Sequence, residues 1–547
     1  MNGAQAMIEC LKKEKVKYIF GYPGAAIAPF YDEIRACGEI KHILVRQEQN
    51  AGHAASGYAR VSGRVGVCCA TSGPGAVNLI SALATAYMDS IPIVAITGQV
   101  RTDLVGRDVF QEADIIGACE PFTKHSCLVK NANDIPKVFK EAFYIAATGR
   151  PGPVLIDMPV DVQLAELESA FEYPQKVDIP GYKPRLQGHP LQIKRAVSAL
   201  AQAERPLICA GGGVVSAQAR KELLELAQKL EIPVVSTLMG VGIMPTEHPL
   251  YCGMLGSHGQ KSANAALQRS DCVLLCGARV GDRAMAAADQ IASHATIIHI
   301  DIDTAEIGKN MRADIPIVGD VRNVLKNISE ASEEMKHSDW IAETSELKQK
   351  SKENVKICSE GIDPGEFMRI LSAETSKRAK AVVVADVGQN QIWAANNFEF
   401  SGGRFLTSGG MGTMGYSLPA AIGAKLAKPE REVIAVCGDG GYMMLLPEIS
   451  TAAANGIPVK LVVMNNNGLG MIRELQDRLY DKRRFAIDLG STDYAAAARS
   501  MGAKANKLYS MEDASKLISE MLDSKETYVL ECMVSPEIMS VQEVREQ

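Results

Sequence analysis

The sequence predicts an α/β protein built from three doubly wound parallel-sheet domains. Short apolar, β-rich runs alternate with helical patterns along the whole chain, as in parallel βαβ winding. The 547 residues are too many for one hydrophobic core. Gly is abundant and aromatic residues make up only 5%, which is typical of layers in which helices pack close to sheets.

The first predicted domain spans residues 1–172. KYIFGYP, VGVCCATSG and IPIVAITG are predicted strands, and PGAVNLISALATAYMDS is predicted to be helical. The domain closes near PGPVLIDMPVDVQ. A Pro-rich, weakly patterned stretch from Tyr173 to Pro190 predicts a linker.

The second predicted domain spans residues 190–328 and the third spans residues 360–547. RPLICAGGG, IPVVSTL, CVLLCGAR and ATIIHIDID are predicted strands of the second, and AVVVADVG, EVIAVCGDG, VKLVVMNN and TYVLECMV of the third. The polar segment 328–356 between them predicts a solvated helix and a linker.

Charge and cysteine content narrow the class of protein. A net charge of −6 with a pI near 6 argues against bulk nucleic-acid binding. Thirteen scattered cysteines, an odd number, predict reduced thiols and a cytoplasmic location. Cys272 and Cys276 have no second ligand pair, so a zinc site is not expected. Neither a signal peptide nor a transmembrane span is predicted.

Two apolar runs end in oxygen-rich turns, EVIAVC at Gly438-Asp439-Gly440 and VKLVVM at a turn that contains Asn466 and Gly468. Ligands of parallel sheets bind at the carboxyl ends of strands. The Asp439 carboxylate, the Asn466 amide oxygen and the Gly468 carbonyl would suit Mg²⁺ better than zinc. Either motif alone is common in plain turns, but the pair at this spacing favours a ligand site.

This spacing resembles the cofactor motif of thiamine diphosphate enzymes. The resemblance implies that Asp439, Asn466 and the Gly468 carbonyl hold Mg²⁺, which anchors the cofactor's diphosphate. The family also requires a glutamate that contacts the aminopyrimidine ring, and Glu48 in VRQEQNAGHAASGYAR matches it. Without that context, Glu48 would be read as a surface helix residue.

Nearly the whole chain resembles the catalytic large subunit of the acetohydroxyacid synthase, or acetolactate synthase, family. FGYPGAAIAPFYD, TSGPGAVNL, DVFQEADIIGACEPFTKHS, HIDIDTAEIGKN and GGMGTMGYSLPAAIGAK carry the resemblance. It implies a pyrimidine-binding, a central FAD-binding-like and a diphosphate-binding domain. It also implies decarboxylation of pyruvate and condensation of the remaining two-carbon unit with a second 2-ketoacid, giving 2-acetolactate for branched-chain amino-acid biosynthesis.

The resemblance further implies roles for individual residues. The catalytic set is Glu48, Phe110, Gln111 and Lys124, although a lysine in a TKH turn is equally consistent with a surface charge. Met414 would lie beneath the cofactor, where ordinary core packing is the alternative. The implied cofactor contacts are Glu48, Pro74, Asn78, Gly388, Gln389, Gly412, Met414, Gly438, Asp439, Gly440, Asn466, Gly468, Leu469, Gly470 and Met471.

The family also binds FAD that does no net redox work. GGG after a strand is weak evidence, but two arginines after the GA turn can meet a diphosphate. The implied FAD contacts are Arg150, Gly211, Gly212, Gly213, Thr237, Leu238, Leu255, Gly256, His258, Gly277, Arg279, Arg283, Asp301, Ile302, Asp320 and Val321. The resemblance implies a homodimer or tetramer with the active site between subunits, and it leaves room for a small regulatory subunit.

The chain departs from the family pattern at several positions. Leu475 replaces the usual Trp, which predicts that pyruvate, or a different small acceptor, is preferred over 2-ketobutyrate. Ala25 stands where a second Gly is usual, and Gln47 and Asn390 replace histidines. The tail CMVSPEIMSVQEVREQ lacks the usual Pro-Met-x-Pro segment.

Two other enzyme activities fit the motifs. One is a related thiamine diphosphate carboligase or decarboxylase that acts on another 2-ketoacid or an acyl-CoA. The other is a flavin oxidoreductase of the pyruvate-oxidase type. A catalytically dead scaffold is disfavoured because Glu48, Asp439 and Asn466 are all present.

Overall fold

The computed structural model describes residues 1–285, 288–353 and 361–540. They form three six-stranded sheets in which all neighbouring strands are parallel. Helices cover both faces, so the predicted fold class is confirmed. The domain boundaries 1–172, 190–328 and 360–547 stay predictions.

The first sheet has the strand order β2-β1-β3-β4-β6-β5. Its strands are β1 Tyr18–Gly21, β2 Lys41–Leu44, β3 Gly66–Ala70, β4 Ile93–Gln99, β5 His125–Leu128 and β6 Val154–Pro159. Its helices are α1 Gly3–Lys13, α2 Ala28–Ala36, α3 Glu48–Ser62, α4 Pro74–Asn78, α5 Ile80–Met88, α6 Ile115–Cys119, α7 Ile135–Ala147 and α8 Val160–Leu164. The apolar β3 and β4 are completely buried at its centre.

The second sheet has the strand order β12-β11-β10-β7-β8-β9. Its strands are β7 Pro206–Ala210, β8 Val234–Ser236, β9 Tyr251–Met254, β10 Cys272–Cys276, β11 Thr296–Asp301 and β12 Ile315–Val318. Its helices are α9 Pro190–Gln202, α10 Gly212–Ser216, α11 Arg220–Lys229, α12 Lys261–Arg269, α13 Ala288–His294 and α14 Val321–Ala331. This order matches that of dinucleotide-binding sheets and reverses between β7 and β10.

The third sheet has the strand order β14-β13-β15-β16-β18-β17, which repeats the topology of the first. After α15 Ser338–Glu353, its strands are β13 Ala381–Ala385, β14 Arg404–Leu406, β15 Glu432–Gly438, β16 Lys460–Asn465, β17 Lys504–Leu508 and β18 Tyr528–Met533. Its helices are α16 Pro364–Ser376, α17 Gln389–Asn397, α18 Ser417–Ala427, α19 Asp439–Leu445, α20 Glu448–Ala454, α21 Gly470–Leu479, α22 Tyr494–Ser500 and α23 Ala514–Asp523. Its strand order reverses between β13 and β15, a second candidate ligand crevice.

The polar segment before the third domain differs in part from the prediction. Most of it forms α15, but Trp340 is buried and its Nε1 donates a hydrogen bond to the Pro206 carbonyl at 2.9 Å. The prediction of a wholly solvated helix is therefore wrong at Trp340, because this side chain packs into the core of the second domain. The predicted linker residues 354–356 lie outside the described residues.

A membrane-spanning helix is not found in the part of the chain that the structure describes, because no helix there is both long and apolar enough.

Candidate active site and cofactor cavity

The two oxygen-rich turns of the third domain lie in direct contact. β15 and β16 are neighbours, with Gly438 opposite Met464, so both strands end at the same edge of the sheet. The Gly468 N–H donates a 2.7 Å hydrogen bond to Asp439 Oδ2, and the Gly440 N–H donates to Oδ1 at 3.1 Å. The two turns thus lie side by side at one edge of the sheet, and we call residues 438–440 and 465–470 together the cradle.

The Asp439 carboxylate is buried and forms no ion pair with a described residue. Its residue is only 1% exposed, and no ion pair to it is found among the described residues. Burial is the main cause that raises the pKa of Asp439 to about 6, while its backbone hydrogen bonds act in the opposite direction. The charge of Arg473 acts on Asp439 from a distance, but a buried carboxylate without an ion pair is costly, which fits a site for a divalent cation.

The consecutive asparagines after β16 have separate roles. Asn465 Nδ2 donates to Glu531 Oε1 at 2.8 Å, which ties the end of the strand to the sheet. Asn466 Nδ2 donates to Gln389 Oε1 at 2.8 Å, which sets the orientation of its amide. Asn467 adopts a left-handed conformation with φ of 55° and forms the turn. Asn466 therefore remains the asparagine suited to offer an amide oxygen beside Asp439.

The Gly468 carbonyl, the third predicted metal ligand, already accepts a hydrogen bond from the Gly470 N–H at 3.0 Å. A carbonyl oxygen has a second lone pair, so this bond is compatible with a metal ligand. In the ranges that the structure describes, no cluster of three or more His, Cys, Asp and Glu side chains forms a metal site. A metal here would depend on mixed carboxylate, amide and carbonyl oxygens.

Two glycines allow neighbouring side chains to pack closely against the cradle. A Cβ at Gly440 would lie 2.6 Å from Leu469 Cδ2 and 3.2 Å from Met414 Cε. A Cβ at Gly470 would come within 1.8 Å of Gln389 Oε1. The structure thus brings five further predicted cofactor contacts close to Asn466 and Gly468, namely Gln389, Met414, Gly440, Leu469 and Gly470.

Three other predicted contacts occupy turns or helix starts around this cradle. Gly388 and Gly412 have φ of 134° and 70°, a region that favours glycine. Met471 is half-buried near the start of α21. Their roles as cofactor contacts stay predictions.

The first domain supplies a separate group of predicted site residues. Glu48 begins α3, and its Oε2 accepts a 3.0 Å hydrogen bond from Asn78 Nδ2. A Cβ at Gly75, just after Pro74, would lie 3.3 Å from Glu48 Oε1. The small residue at the start of α4 therefore leaves room around the second carboxylate oxygen.

Gln111 lies near this group, on the loop after β4. Its backbone carbonyl would be 2.9 Å from a Cβ at Gly73, and its φ is 58°. The neighbouring Phe110 is 87% exposed, so in the single chain it has no packed pocket. The Phe110 side chain is thus positioned to contact another molecule or another subunit.

Lys124 is placed differently from the other predicted catalytic residues. Its Nζ donates hydrogen bonds to the carbonyls of Ile145 and Thr148 and to the Tyr182 hydroxyl, the last two at 2.7 and 3.0 Å. Burial lowers the pKa of Lys124 to about 8. Among the described residues it has no hydrogen bond to Glu48 or Gln111, and its cation lies at the C-terminal end of α7. Its catalytic role stays a prediction.

A cavity of about 670 Å³ lies at the reversal point between β7 and β10 of the second domain, and residues of the first and third domains, such as Asp89 and Gly410, also line it. Its volume is in the range of small-molecule and cofactor sites. Fourteen of the predicted FAD contacts line it: Arg150, Gly212, Gly213, Thr237, Leu238, Leu255, His258, Gly277, Arg279, Arg283, Asp301, Ile302, Asp320 and Val321. The remaining two predicted contacts, Gly211 and Gly256, do not line the cavity but pack closely against the backbone of residues that do. A Cβ at Gly211 would lie 2.2 Å from the Gly277 carbonyl oxygen, and a Cβ at Gly256 would lie 2.4 Å from the Arg283 carbonyl oxygen.

Comparison with known proteins identifies the family. Family models match residues 1–118 as "Thiamine pyrophosphate enzyme, N-terminal TPP binding domain", residues 193–328 as its "central domain" and residues 386–532 as its "C-terminal TPP binding domain". A "Probable acetolactate synthase large subunit" of Methanocaldococcus jannaschii is 47% identical, covering 98% of this chain and 92% of that protein.

The chain belongs to the acetolactate synthase large-subunit family of thiamine diphosphate enzymes. Two further relatives agree. An "Acetolactate synthase large subunit" of Corynebacterium glutamicum is 47% identical, covering 88% of this chain and 78% of that protein. Another, of Haemophilus influenzae, is 41% identical, covering 97% of this chain and 93% of that protein.

Sequence reasoning missed several polar residues that organise this acetolactate synthase fold. Asp386, buried after β13, accepts from the N–H groups of Gly415 at 2.9 Å and Ser417 at 3.0 Å. Asp89 reaches from the first domain to the third and accepts from the N–H groups of Gly409 and Gly410 at 3.1 and 2.7 Å. Both aspartates bind loops more than 28 positions away in sequence, so no local pattern indicated them.

The positions at which the chain differs from the family pattern are buried to different degrees. Asn390 is buried, and its Nδ2 donates to the carbonyls of Asp386 at 2.8 Å and Val436 at 3.2 Å, which joins the end of β13 to β15 at the reversal point. Ala25 and Gln47 are exposed. Leu475 is 38% exposed on α21, one turn after Met471.

The C-terminal tail reaches the cradle despite its unusual sequence. The Ile538 carbonyl accepts from Gln389 Nε2 at 2.9 Å, and Ser540 Oγ donates to Glu474 Oε2 at 2.7 Å. Residues 541–547, the end of the tail that lacks the usual Pro-Met-x-Pro segment, lie outside the described residues.

Proposed function

We propose that this protein decarboxylates pyruvate and joins the remaining two-carbon unit to a second pyruvate, forming 2-acetolactate. The single observation that carries the proposal is the hydrogen bond between the Gly468 N–H and Asp439 Oδ2, which joins the two cofactor turns of a full-length family member. Thiamine diphosphate, when bound, supplies the nucleophilic carbon and the electron sink for this reaction.

Asp439, Asn466 and the Gly468 carbonyl are proposed to hold Mg²⁺. The buried Asp439 carboxylate supplies the negative charge, and the Asn466 amide is oriented by Gln389. Mg²⁺ keeps several waters or phosphate oxygens in its octahedral shell, so three protein oxygens are enough. A side chain at position 440 or 470 would collide with Leu469 or Gln389, so this packing around the proposed metal site needs glycine at both positions.

Glu48 is proposed to exchange a proton with the aminopyrimidine ring of the cofactor. Asn78 holds one carboxylate oxygen at 3.0 Å, and Gly75 leaves space at the other. A positioned carboxylate of this kind activates the cofactor by proton transfer. Gln111 and Phe110, on the loop beside Gly73, are proposed to face the 2-ketoacids.

The active site is proposed to form between two copies of the chain. No hydrogen bond or ion pair between described residues joins the Glu48 group to the Asp439 group. Inside one chain the first and third domains contact each other at other places, including Glu448, which accepts from the Arg46 N–H at 2.7 Å and from Asn50 Nδ2 at 3.0 Å. We therefore propose a homodimer or tetramer. The large-subunit names of the relatives further support a small-subunit partner.

FAD is proposed to occupy the 670 Å³ cavity without a net redox role. Arg279 and Arg283 after β10 would meet its diphosphate, because guanidinium groups bind phosphate bidentately. Burial is the main cause that raises the pKa of Asp301 to about 6, so this carboxyl group is suited to hydrogen bonding within the cavity. Arg150 is held by Asp303 at 3.1 Å and Glu306 at 2.8 Å and forms a fixed part of the wall.

Product analysis tests the proposed reaction. The protein, loaded with thiamine diphosphate, Mg²⁺ and FAD, is given pyruvate with and without 2-ketobutyrate while oxygen uptake is followed. Acetolactate and CO₂ without oxygen consumption are expected, with pyruvate preferred as acceptor. Oxygen uptake at the turnover rate would instead indicate the pyruvate-oxidase type of reaction.

A Glu48→Gln variant serves as the control for cofactor activation. It keeps the hydrogen-bonding shape but cannot exchange a proton in the same way, so a loss of about 100-fold or more in kcat is expected. Product formation at the wild-type rate by this variant, or no acetolactate from the loaded wild-type protein, would overturn the proposal.

A further inference from the structure

A second pocket, of about 340 Å³, lies where the three domains meet. Its wall includes the end of α3 at Ser62, the start of α11 at Arg220 and the loop before β14 at Gly402. Four of its described lining side chains are cationic and none is acidic; the cations are Arg220, Arg404, Lys428 and Arg431. We call this site the junction pocket.

Among the residues that the structure describes, the arginines of the junction pocket donate hydrogen bonds only to backbone carbonyls. Arg220 Nη2 donates to the carbonyls of Gly242 and Gly403, the latter at 2.9 Å. Arg404 Nη2 and Arg431 Nη1 each make one long contact of 3.5 Å to a carbonyl. A guanidinium has five N–H donors, so Arg404 and Arg431 keep most of theirs for another acceptor.

The positive charge of the pocket is uncompensated. None of its four cationic side chains forms an ion pair with any described carboxylate. Burial is the main cause that lowers the pKa of Arg404 to about 10, and the like charges of Arg60, Arg220 and Arg431 lower it further. Clustered cations with partial burial and no counterion are costly, whereas an anion between them would remove that cost.

The junction pocket is separate from the FAD cavity, although one helix borders both. The start of α10, at Gly212 and Gly213, lines the larger cavity, and Val214 and Val215 line the junction pocket. Val382 and Ile243 extend this apolar side of the junction pocket. The pocket thus combines an apolar wall with a cationic one, which suits an organic molecule that carries phosphate groups.

We propose that the junction pocket binds a small phosphorylated organic anion of the nucleoside diphosphate class. Its phosphates contact Arg404, Lys428 and Arg431, and its organic part packs on the valines of α10. Because the pocket is built from all three domains, the bound anion joins them and adds to their stability by mass action. This site does not depend on the proposed catalytic reaction.

Calorimetric titration tests this site with two probes, ADP and inorganic pyrophosphate. The protein is first saturated with thiamine diphosphate, excess Mg²⁺ and FAD, so that the other two phosphate sites are filled. Saturable binding at one site per chain is expected, weakening as salt is added. Tighter binding of ADP supports contact with the apolar wall, whereas equal affinities would overturn the organic part of the proposal.

Substitutions locate the binding. Arg404→Gln and Arg431→Gln are each expected to weaken ADP binding at least tenfold, and Lys428→Gln, at an exposed position, is expected to weaken it several-fold without disturbing the fold. Arg499→Gln is the matched control, because Arg499 also donates to a backbone carbonyl, that of Ala505 at 3.0 Å, but lies outside the pocket. The absence of binding at millimolar probe, or equal binding by Lys428→Gln, Arg404→Gln and the control, would overturn the proposal.

Discussion

Gly57 of α3 lies directly against the Ala420 carbonyl of α18, so that a Cβ at Gly57 would be 1.9 Å from that oxygen. The contact is reciprocated one turn away, where a Cβ at Gly423 would be 1.9 Å from the Ala54 carbonyl. Two glycines thus allow the backbones of the first and third domains to touch inside one chain. This contact sets how the Glu48 domain and the Asp439 domain sit together.

Gly57→Ala is expected to lower the thermal unfolding midpoint by several degrees. Alanine within a helix normally stabilises it by about 0.5–1 kcal/mol, but overpacking costs about 1–3 kcal/mol, so the overpacking should prevail. Scanning calorimetry measures the midpoint. Gly38→Ala is the control, because a Cβ there meets nothing within 4 Å. A midpoint for Gly57→Ala that equals or exceeds that of the native protein would contradict this prediction, because it would mean that α3 and α18 can move apart without loss of stability.

Asp439→Asn is expected to weaken Mg²⁺-dependent binding of thiamine diphosphate by about 100-fold or more. The amide keeps the shape of the side chain but removes the only carboxylate of the proposed ligand set, and Mg²⁺ depends on charged oxygen ligands. Calorimetric titration of the cofactor at several Mg²⁺ concentrations gives the affinity. Asp488→Asn, at an exposed position that pairs with Gly468, is the matched control. An unchanged Mg²⁺ dependence in Asp439→Asn would place the metal elsewhere.

Leu475→Trp is expected to raise the ratio of 2-ketobutyrate to pyruvate used as acceptor by about tenfold. A larger aromatic wall gives the extra methylene a surface to contact, and one methylene is worth about 1–3 kcal/mol of discrimination. Competition between the two 2-ketoacids measures the ratio. Leu479→Trp, 57% exposed at the end of the same helix, should leave it unchanged. A similar shift in both variants would mean that Leu475 does not face the acceptor.

Asp157→Asn is expected to change how stability depends on pH. Burial is the main cause that raises the pKa of Asp157 to about 7, although its carboxylate accepts from Thr97 Oγ1 and Gln99 Nε2. Between the unfolded value of about 3.9 and that pKa, the folded protein holds more protons than the unfolded chain, so stability falls as pH rises.

The neutral amide of Asp157→Asn removes this slope. The thermal unfolding midpoint of Asp157→Asn minus that of the native protein should therefore increase by several degrees between pH 5 and pH 8. Asp178→Asn, at an exposed position, is the control and should show no such trend. A constant difference between the midpoints of Asp157→Asn and the native protein across this pH range would contradict the prediction.

The inner strands were predictable and the edge strands were not. β3, β4, β10, β15 and β16 are apolar because both of their faces are buried, and this pattern was visible in the sequence. The edge strands β5 and β17, with the sequences HSCL and KANKL, have only one neighbour and carry polar side chains. Such short mixed segments do not differ locally from loops, so only strand pairing identifies them.

Local patterns were enough to predict the three parallel sheets and the turns at Asp439 and Asn466, because strand ends and glycine turns are marked by neighbouring residues. The role of Glu48 was implied only by the family resemblance, since its local pattern by itself favours a surface helix residue. Other features depend on contacts between segments that are distant in sequence. These are the close contact of Gly57 with the Ala420 carbonyl, the hydrogen bond from Asn50 to Glu448, the position of Lys124 at the end of α7 and the clustering of cations in the junction pocket. Their partners lie far apart in the chain, and the free energy that favours them arises only when the three domains pack together.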